Sequence, residues 1–274
     1  MIKDILVHVD NAEQDSSTLE AAIYLTQRFN AHLNGVHVSS LLDYAAAKDI
    51  FVAGLWEECK EDLRIAAKTA QERYKAATTR AGLSGEWHHV DGDPATTIIA
   101  QGRVVDLIVL GQPMGEPWPI ARNIAGKVPL AAGRPVLFVP MVLFSGSLGK
   151  SVLIAWNDSR EAARAVNDAL PLLTQAERVI VMAVDPPPAE SNEDRIPCAD
   201  IALHLARHGV KAEVTQDTAS ANFVGEVLLK QAERQHADLI VTGAYGHSRL
   251  KEIALGGVTR YMLKHATVPV LMSH

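Results

Sequence analysis

Short apolar runs recur along the chain, each too brief for a helix and each bounded by small or turn-forming residues. Ile5-Leu6-Val7, Leu107-Ile108-Val109-Leu110 before Gly111, Val152-Leu153-Ile154, and Leu239-Ile240-Val241 before Gly243 are of this kind. Continuous apolar runs of that length mark strands covered on both faces, as in a parallel sheet. Segments of mixed polarity separate them and read as helices. The first half opens with a strand from Asp4 to Asp10 and a helix capped by Ser16 or Ser17 that runs to about Asn30. A strand His32 to Val38, a long amphipathic helix from about Leu55 to Arg80 and a strand Gly85 to Val90 follow. Asp93 is the expected N-cap of the next helix, with Pro94 in its first turn, before strands Asp106 to Leu110 and Pro135 to Val139.

The second half repeats the scheme. Strand Ser151 to Trp156 leads to a helix from Arg160 to Thr174 capped by Ser159, then strand Arg178 to Asp185. Helix Cys198 to His208, strand Lys211 to Thr215 and helix Ala221 to Arg234 precede the run at Leu239. Val258 to His265 reads as a helix and Thr267 to Met272 as the last strand. Three anchors recur in the same order: Lys3–Asp10 with Lys150–Asn157, Val105–Gly111 with Ala237–Gly243, and Arg134–Val139 with Val268–Met272. Ordered self-similarity of this kind means two copies of one fold. The expected domains are 1–144 and 150–274, joined by a small-residue linker near Ser145-Gly146-Ser147. The second copy is shorter after its second strand, where Pro186-Pro187-Pro188 stands. Strands alternating with helices imply right-handed crossovers and an α/β fold, a doubly wound parallel sheet in each half. Ligands of such sheets bind beyond the strand C-termini where strand order reverses, here the end of each first strand and the loop after each fourth strand.

Composition narrows the function classes. The 274 residues are 48% hydrophobic and 21% charged, an ordinary globular mix. A net charge of -6 argues against a nucleic-acid partner, which needs a basic face. The two cysteines, Cys59 and Cys198, lack metal-ligand spacing and fit a reducing compartment. The N-terminus enters a strand directly, and no apolar run approaches the length of a membrane span, so a cytoplasmic protein without signal peptide or membrane contact is expected.

The stretch from Ala237 to Leu271 carries the most specific signal. Its glycines stand as Gly243-x2-Gly246-x9-Gly256 between a strand and a helix, where main-chain N–H groups can face a phosphate. This spacing, with the closing Pro269-Val270-Leu271, resembles the nucleotide-binding signature of the universal stress protein family, and the resemblance covers nearly the whole chain. It implies a tandem member with two Rossmann-like five-stranded sheets of strand order 3-2-1-4-5, paired within one chain as a pseudo-dimer, with a homodimer as a further assembly. It also implies an adenine nucleotide, ATP or AMP, as ligand. In the second half Asn157, Val184, Thr242, Gly243, Gly246, Gly256, Gly257 and Val258 would then line the nucleotide. Two departures stand out: Gly257 replaces a Ser/Thr hydroxyl, and Asn157 replaces an aspartate at the end of the first strand. An amide at Asn157 still donates and accepts but offers no charge. The first half keeps Asp10, yet its loop Gln112 to Pro119 holds Pro113, Pro117, Pro119 and Glu116, so no triphosphate is expected there.

Other candidate chemistry has a plain structural reading beside it. His247, Arg249, Lys251 and Arg260 are either phosphate-screening cations or a solvated basic loop. Asp185 is either a contact to the base or a turn residue. His8, Asp10 and His37 are either a three-residue metal site or strand histidines bonded to backbone. Asp106 and Asp238 precede the fourth strands, at the end away from the crevice, and read as turn or capping residues. The chain contains no Walker loop, G-x-S-x-G elbow, H-E-x-x-H or cysteine pair. No catalytic residue and no metal is therefore expected. The expected function is a stress-response binding module acting through a protein partner, with a slow ATPase or a ligand-free scaffold as rivals.

Overall fold

The computed structural model describes all residues except 11–15, 48–55, 114–118, 143, 145, 186–197, 220–223 and 246–256. The chain divides into two compact units, Met1–Gly146 and Ser147–His274.

In the first unit the strands are β1 (Asp4–His8), β2 (His32–Ser39), β3 (Gly85–Asp91), β4 (Leu107–Gly111) and β5 (Val136–Val139). Their spatial order is β3-β2-β1-β4-β5, and every neighbouring pair is parallel. Both faces of β1 and β4 are covered, so Ile5, Leu6, Val7 and all of Leu107 to Leu110 are buried, which is why these strands read as unbroken apolar runs. The helices are α1 (Ser16–Phe29), α2 (Leu41–Ala47), α3 (Trp56–Arg80), α4 (Pro94–Gly102) and α5 (Pro119–Ala131). Asp93 caps α4 as expected, its Oδ1 accepting from the Thr96 N–H at 2.8 Å. Ser17 does not cap α1: it lies inside the helix, and its hydroxyl donates to the Val142 carbonyl at 2.8 Å. After β2 the sequence suggests one helix, whereas the structure has two. Ser40 starts the extra one, its Oγ accepting from the Asp43 N–H at 3.3 Å, and Tyr44 of α2 donates to Asp62 of α3 at 2.6 Å.

The second unit repeats this plan with β6 (Ser151–Ala155), α6 (Arg160–Leu173), β7 (Arg178–Val184), α7 (Ala199–Arg207), β8 (Ala212–Asp217), α8 (Val224–Arg234), β9 (Leu239–Gly243), α9 (Gly257–His265) and β10 (Val270–Ser273). The order is β8-β7-β6-β9-β10, again parallel throughout. Each unit is thus a doubly wound five-stranded sheet of order 3-2-1-4-5. The reversal of strand order falls between β6 and β9 in the second unit and between β1 and β4 in the first. Among the described residues, no helix is long and apolar enough to cross a membrane.

The equivalent carboxylates Asp106 and Asp238 play one role in both copies. Asp106 Oδ2 accepts the N–H groups of Lys3 at 2.7 Å and Asp4 at 3.1 Å. Asp238 Oδ1 accepts those of Lys150 and Ser151, each at 3.0 Å, and Oδ2 accepts the Ser147 hydroxyl at 2.5 Å. Each carboxylate ties the entry of the fourth strand to the entry of the first, at the end of the sheet remote from the strand C-termini.

Candidate functional site

The second unit holds a cavity of about 270 Å³ beyond the C-termini of β6, β7 and β9. Asn157, Val184, Thr242, Gly243, Gly257 and Val258 all line it. Gly246 and Gly256 lie outside the described residues, as do His247, Arg249 and Lys251. Arg260, on α9, is exposed and is not part of the cavity wall.

Local chemistry explains how these residues are held. Asn157 Oδ1 accepts from the Ser159 hydroxyl at 2.7 Å and from its N–H at 3.3 Å, while Ser159 Oγ accepts from the Ala162 N–H at 3.1 Å and caps α6. The amide at 157 therefore serves as a helix-start bracket through its oxygen, and its remaining capacity is donation. Gly243 ends β9 directly against the first turn of α6. A Cβ there would lie 2.6 Å from the Ala162 nitrogen and 2.7 Å from the Glu161 carbonyl carbon, so only glycine permits the contact. Beyond it, the Ala244 N–H donates to the Ser273 carbonyl at 2.8 Å, and the Tyr245 N–H donates to Thr259 Oγ1 at 3.4 Å. Those bonds fix the start of the glycine loop between β10 and α9. Tyr245 has a left-handed backbone, φ 65°, and burial pushes its phenol well above the ordinary value, so it is neutral.

Sequence reasoning missed Glu161. This residue lines the cavity and is only 7% exposed. Burial pushes its carboxyl up, but hydrogen bonds from the Arg160 guanidinium and from backbone, with the charges of Arg160 and His274, outweigh burial and hold it below its ordinary value. It is ionised at neutral pH. His274 is held beside Arg160, with Nδ1 3.0 Å from the Ala244 carbonyl and Nε2 3.4 Å from Arg160 Nη2. An acid in the first turn of a helix reads from sequence as a dipole partner on a solvated face. Its burial follows from the tight approach of Gly243, a long-range contact.

Asp185 takes the turn role. It has φ 47°, and its Oδ1 accepts from the Ala219 N–H at 2.9 Å. In the first unit, Pro113 is buried, and residues 114–118 of the proline-rich loop are outside the described set. Asp10 borders a groove of about 650 Å³ between α1 and α3.

His8 and His37 do not share a face of the sheet. His8 is in register with Val36, so His37, one position on, leaves the opposite face of the sheet. His37 Nδ1 lies 2.8 Å from the Val9 carbonyl, the backbone-bonded alternative. Its ring stands 5.8 Å from that of His89, whose Nε2 is 2.9 Å from Ser39 Oγ. Among the described residues no group of three or more His, Cys, Asp or Glu is arranged to hold a metal ion.

With this geometry in hand, comparison with known proteins points one way. The family model for the universal stress protein family matches residues 1–114 and 149–274. Universal stress protein YxiE of Bacillus subtilis is 28% identical over 152 residues, an alignment spanning 51% of this chain and 99% of that protein. The crystal structure of a universal stress protein from Archaeoglobus fulgidus has a TM-score of 0.70 at 17% identity and covers 98% of this chain and 97% of its own. A functionally unknown protein from Pseudomonas aeruginosa has a TM-score of 0.62 at 17% identity, covering 99% of this chain and 92% of its own. The last two are likenesses of fold.

Proposed function

The chain belongs to the universal stress protein family, and from that membership and the cavity we propose a binding module whose second unit takes an adenine nucleotide without significant turnover. The supporting observation is that Asn157, Val184, Thr242, Gly243, Gly257 and Val258, spread over residues 157–258, line one cavity at the reversal of strand order. Apolar walls from Met182, Val184 and Leu228 suit a purine ring, and the amide of Asn157 suits a base or ribose oxygen. The first unit is the degenerate copy, because its loop after β4 carries prolines where the second carries glycines. In this reading the protein works in the cytoplasm, and its nucleotide state is read by a protein partner.

Equilibrium binding of adenine nucleotides to the parent and to Val184→Trp tests the site. The indole fills the cavity, so affinity should fall steeply; equal affinity in both rejects the assignment. Mass spectrometry of small molecules released from the gently purified protein identifies the ligand independently. Slow hydrolysis is the second reading, because Glu161 places a carboxylate in the cavity wall. Phosphate release that vanishes in Glu161→Gln would favour it.

A further inference from the structure

The charge pattern of the cavity narrows the ligand, on the reading that the site takes an adenine compound. Among its described lining residues, Glu161 is the one ionised side chain; the rest are apolar, amide, hydroxyl or main-chain groups. Its side chain is 9% exposed, whereas that of Arg160, which donates to Oε1, is 60% exposed. The carboxylate thus belongs to the wall and its counter-ion to the solvent side. The close contact of Gly243 with the first turn of α6 leaves this wall no room to withdraw.

A fixed, buried carboxylate accepts hydrogens from neutral donors through strong charge-assisted bonds. It repels additional negative charge brought close to it. Gly257 adds no side-chain hydroxyl to the lining. The volume of about 270 Å³ lies just below the range of about 300–1,000 Å³ usual for small-molecule pockets. We propose that Glu161 makes this cavity a receptor for an adenine nucleoside carrying at most one phosphate, accepting a ribose hydroxyl or amino hydrogen and discriminating against the triphosphate.

Calorimetry on the full chain at low ionic strength, with adenosine, AMP, ATP and magnesium-ATP as separate probes, tests this. Adenosine and AMP should bind about tenfold or more tightly than either form of ATP, the size of one unfavourable charge pair at partial screening. Glu161→Gln should close that gap. Arg160→Gln, at an exposed position, should widen it by removing the neutralising charge, and it serves if Glu161→Gln does not fold. ATP or magnesium-ATP binding the parent as tightly as adenosine overturns this inference while leaving the adenine site standing. A gap that neither variant moves overturns the role of Glu161. No binding of any adenine compound removes the adenine reading and this inference together.

Discussion

Gly243 meets the first turn of α6 so closely that a Cβ on it would stand 2.6 Å from the backbone nitrogen of Ala162. The neighbour is main chain and cannot rotate aside. Gly243→Ala must therefore push β9 and α6 apart, an overpacking cost of about 1–3 kcal/mol. Chemical denaturation should show that loss, and ligand affinity should fall with it because the same contact positions Glu161 in the cavity wall. An alanine variant of parent-like stability would mean that the glycine serves something other than close approach.

Asp238 accepts the N–H of Ser151 at one sheet end, and the cavity lies at the other. Asp238→Ala leaves two backbone donors and the Ser147 hydroxyl without their acceptor. Hydrogen bonds to a charged group are worth about 1.5–3 kcal/mol. The variant should lose stability on that order in urea titration and keep its ligand affinity. Asp106→Ala should behave alike in the first unit, since Asp106 makes the corresponding bonds to Lys3 and Asp4. Lost affinity with unchanged stability would return these aspartates to the list of functional candidates.

Local chemistry made much of this legible in sequence. Strand cores and the caps at Asp93 and Ser159 rest on residues near one another in the chain, and the structure holds them where they were expected. What escaped depends on distant contacts. Ser17 satisfies a capping preference, yet Val142 claims its hydroxyl. Helix α2 is short and weakly patterned, and it gains its place from Asp62 of α3. Glu161 looks like any first-turn acid until Gly243 closes on it. His8 and His37 look adjacent until strand register puts them on opposite faces.

His8 carries a pH signature. Burial lowers its pKa below the ordinary 6.5; the Asp10 carboxylate opposes this and His37 adds to it. The native state thus prefers the neutral ring, and below the ordinary value the unfolded chain binds the extra proton. The contribution of this site is full above pH 6.5 and is lost as pH falls from there toward the native pKa. Urea midpoints measured from pH 8 to pH 5 should decline in the parent, and His8→Gln should decline less across the same window. A parallel decline would assign the pH dependence to other groups.

Cys198 should prove sluggish toward alkylation. Burial, together with the charge of Asp158, pushes its thiol up to about 11. The thiolate is the reacting species, and a free cysteine with a pKa near 8.5 holds roughly three hundred times more of it at neutral pH. Cys59 is 2% exposed and serves as the protected comparison. Iodoacetamide labelling followed by peptide mass spectrometry should give a Cys198 rate that keeps rising about tenfold per pH unit through pH 10, with no plateau near 8.5. The Asp158→Asn variant should bring the onset to lower pH, because it removes the negative charge that opposes the thiolate. Rapid labelling of Cys198 at pH 7 would instead mark an activated thiol, and the residue would then need a chemical role that its packing at the start of α7 does not supply.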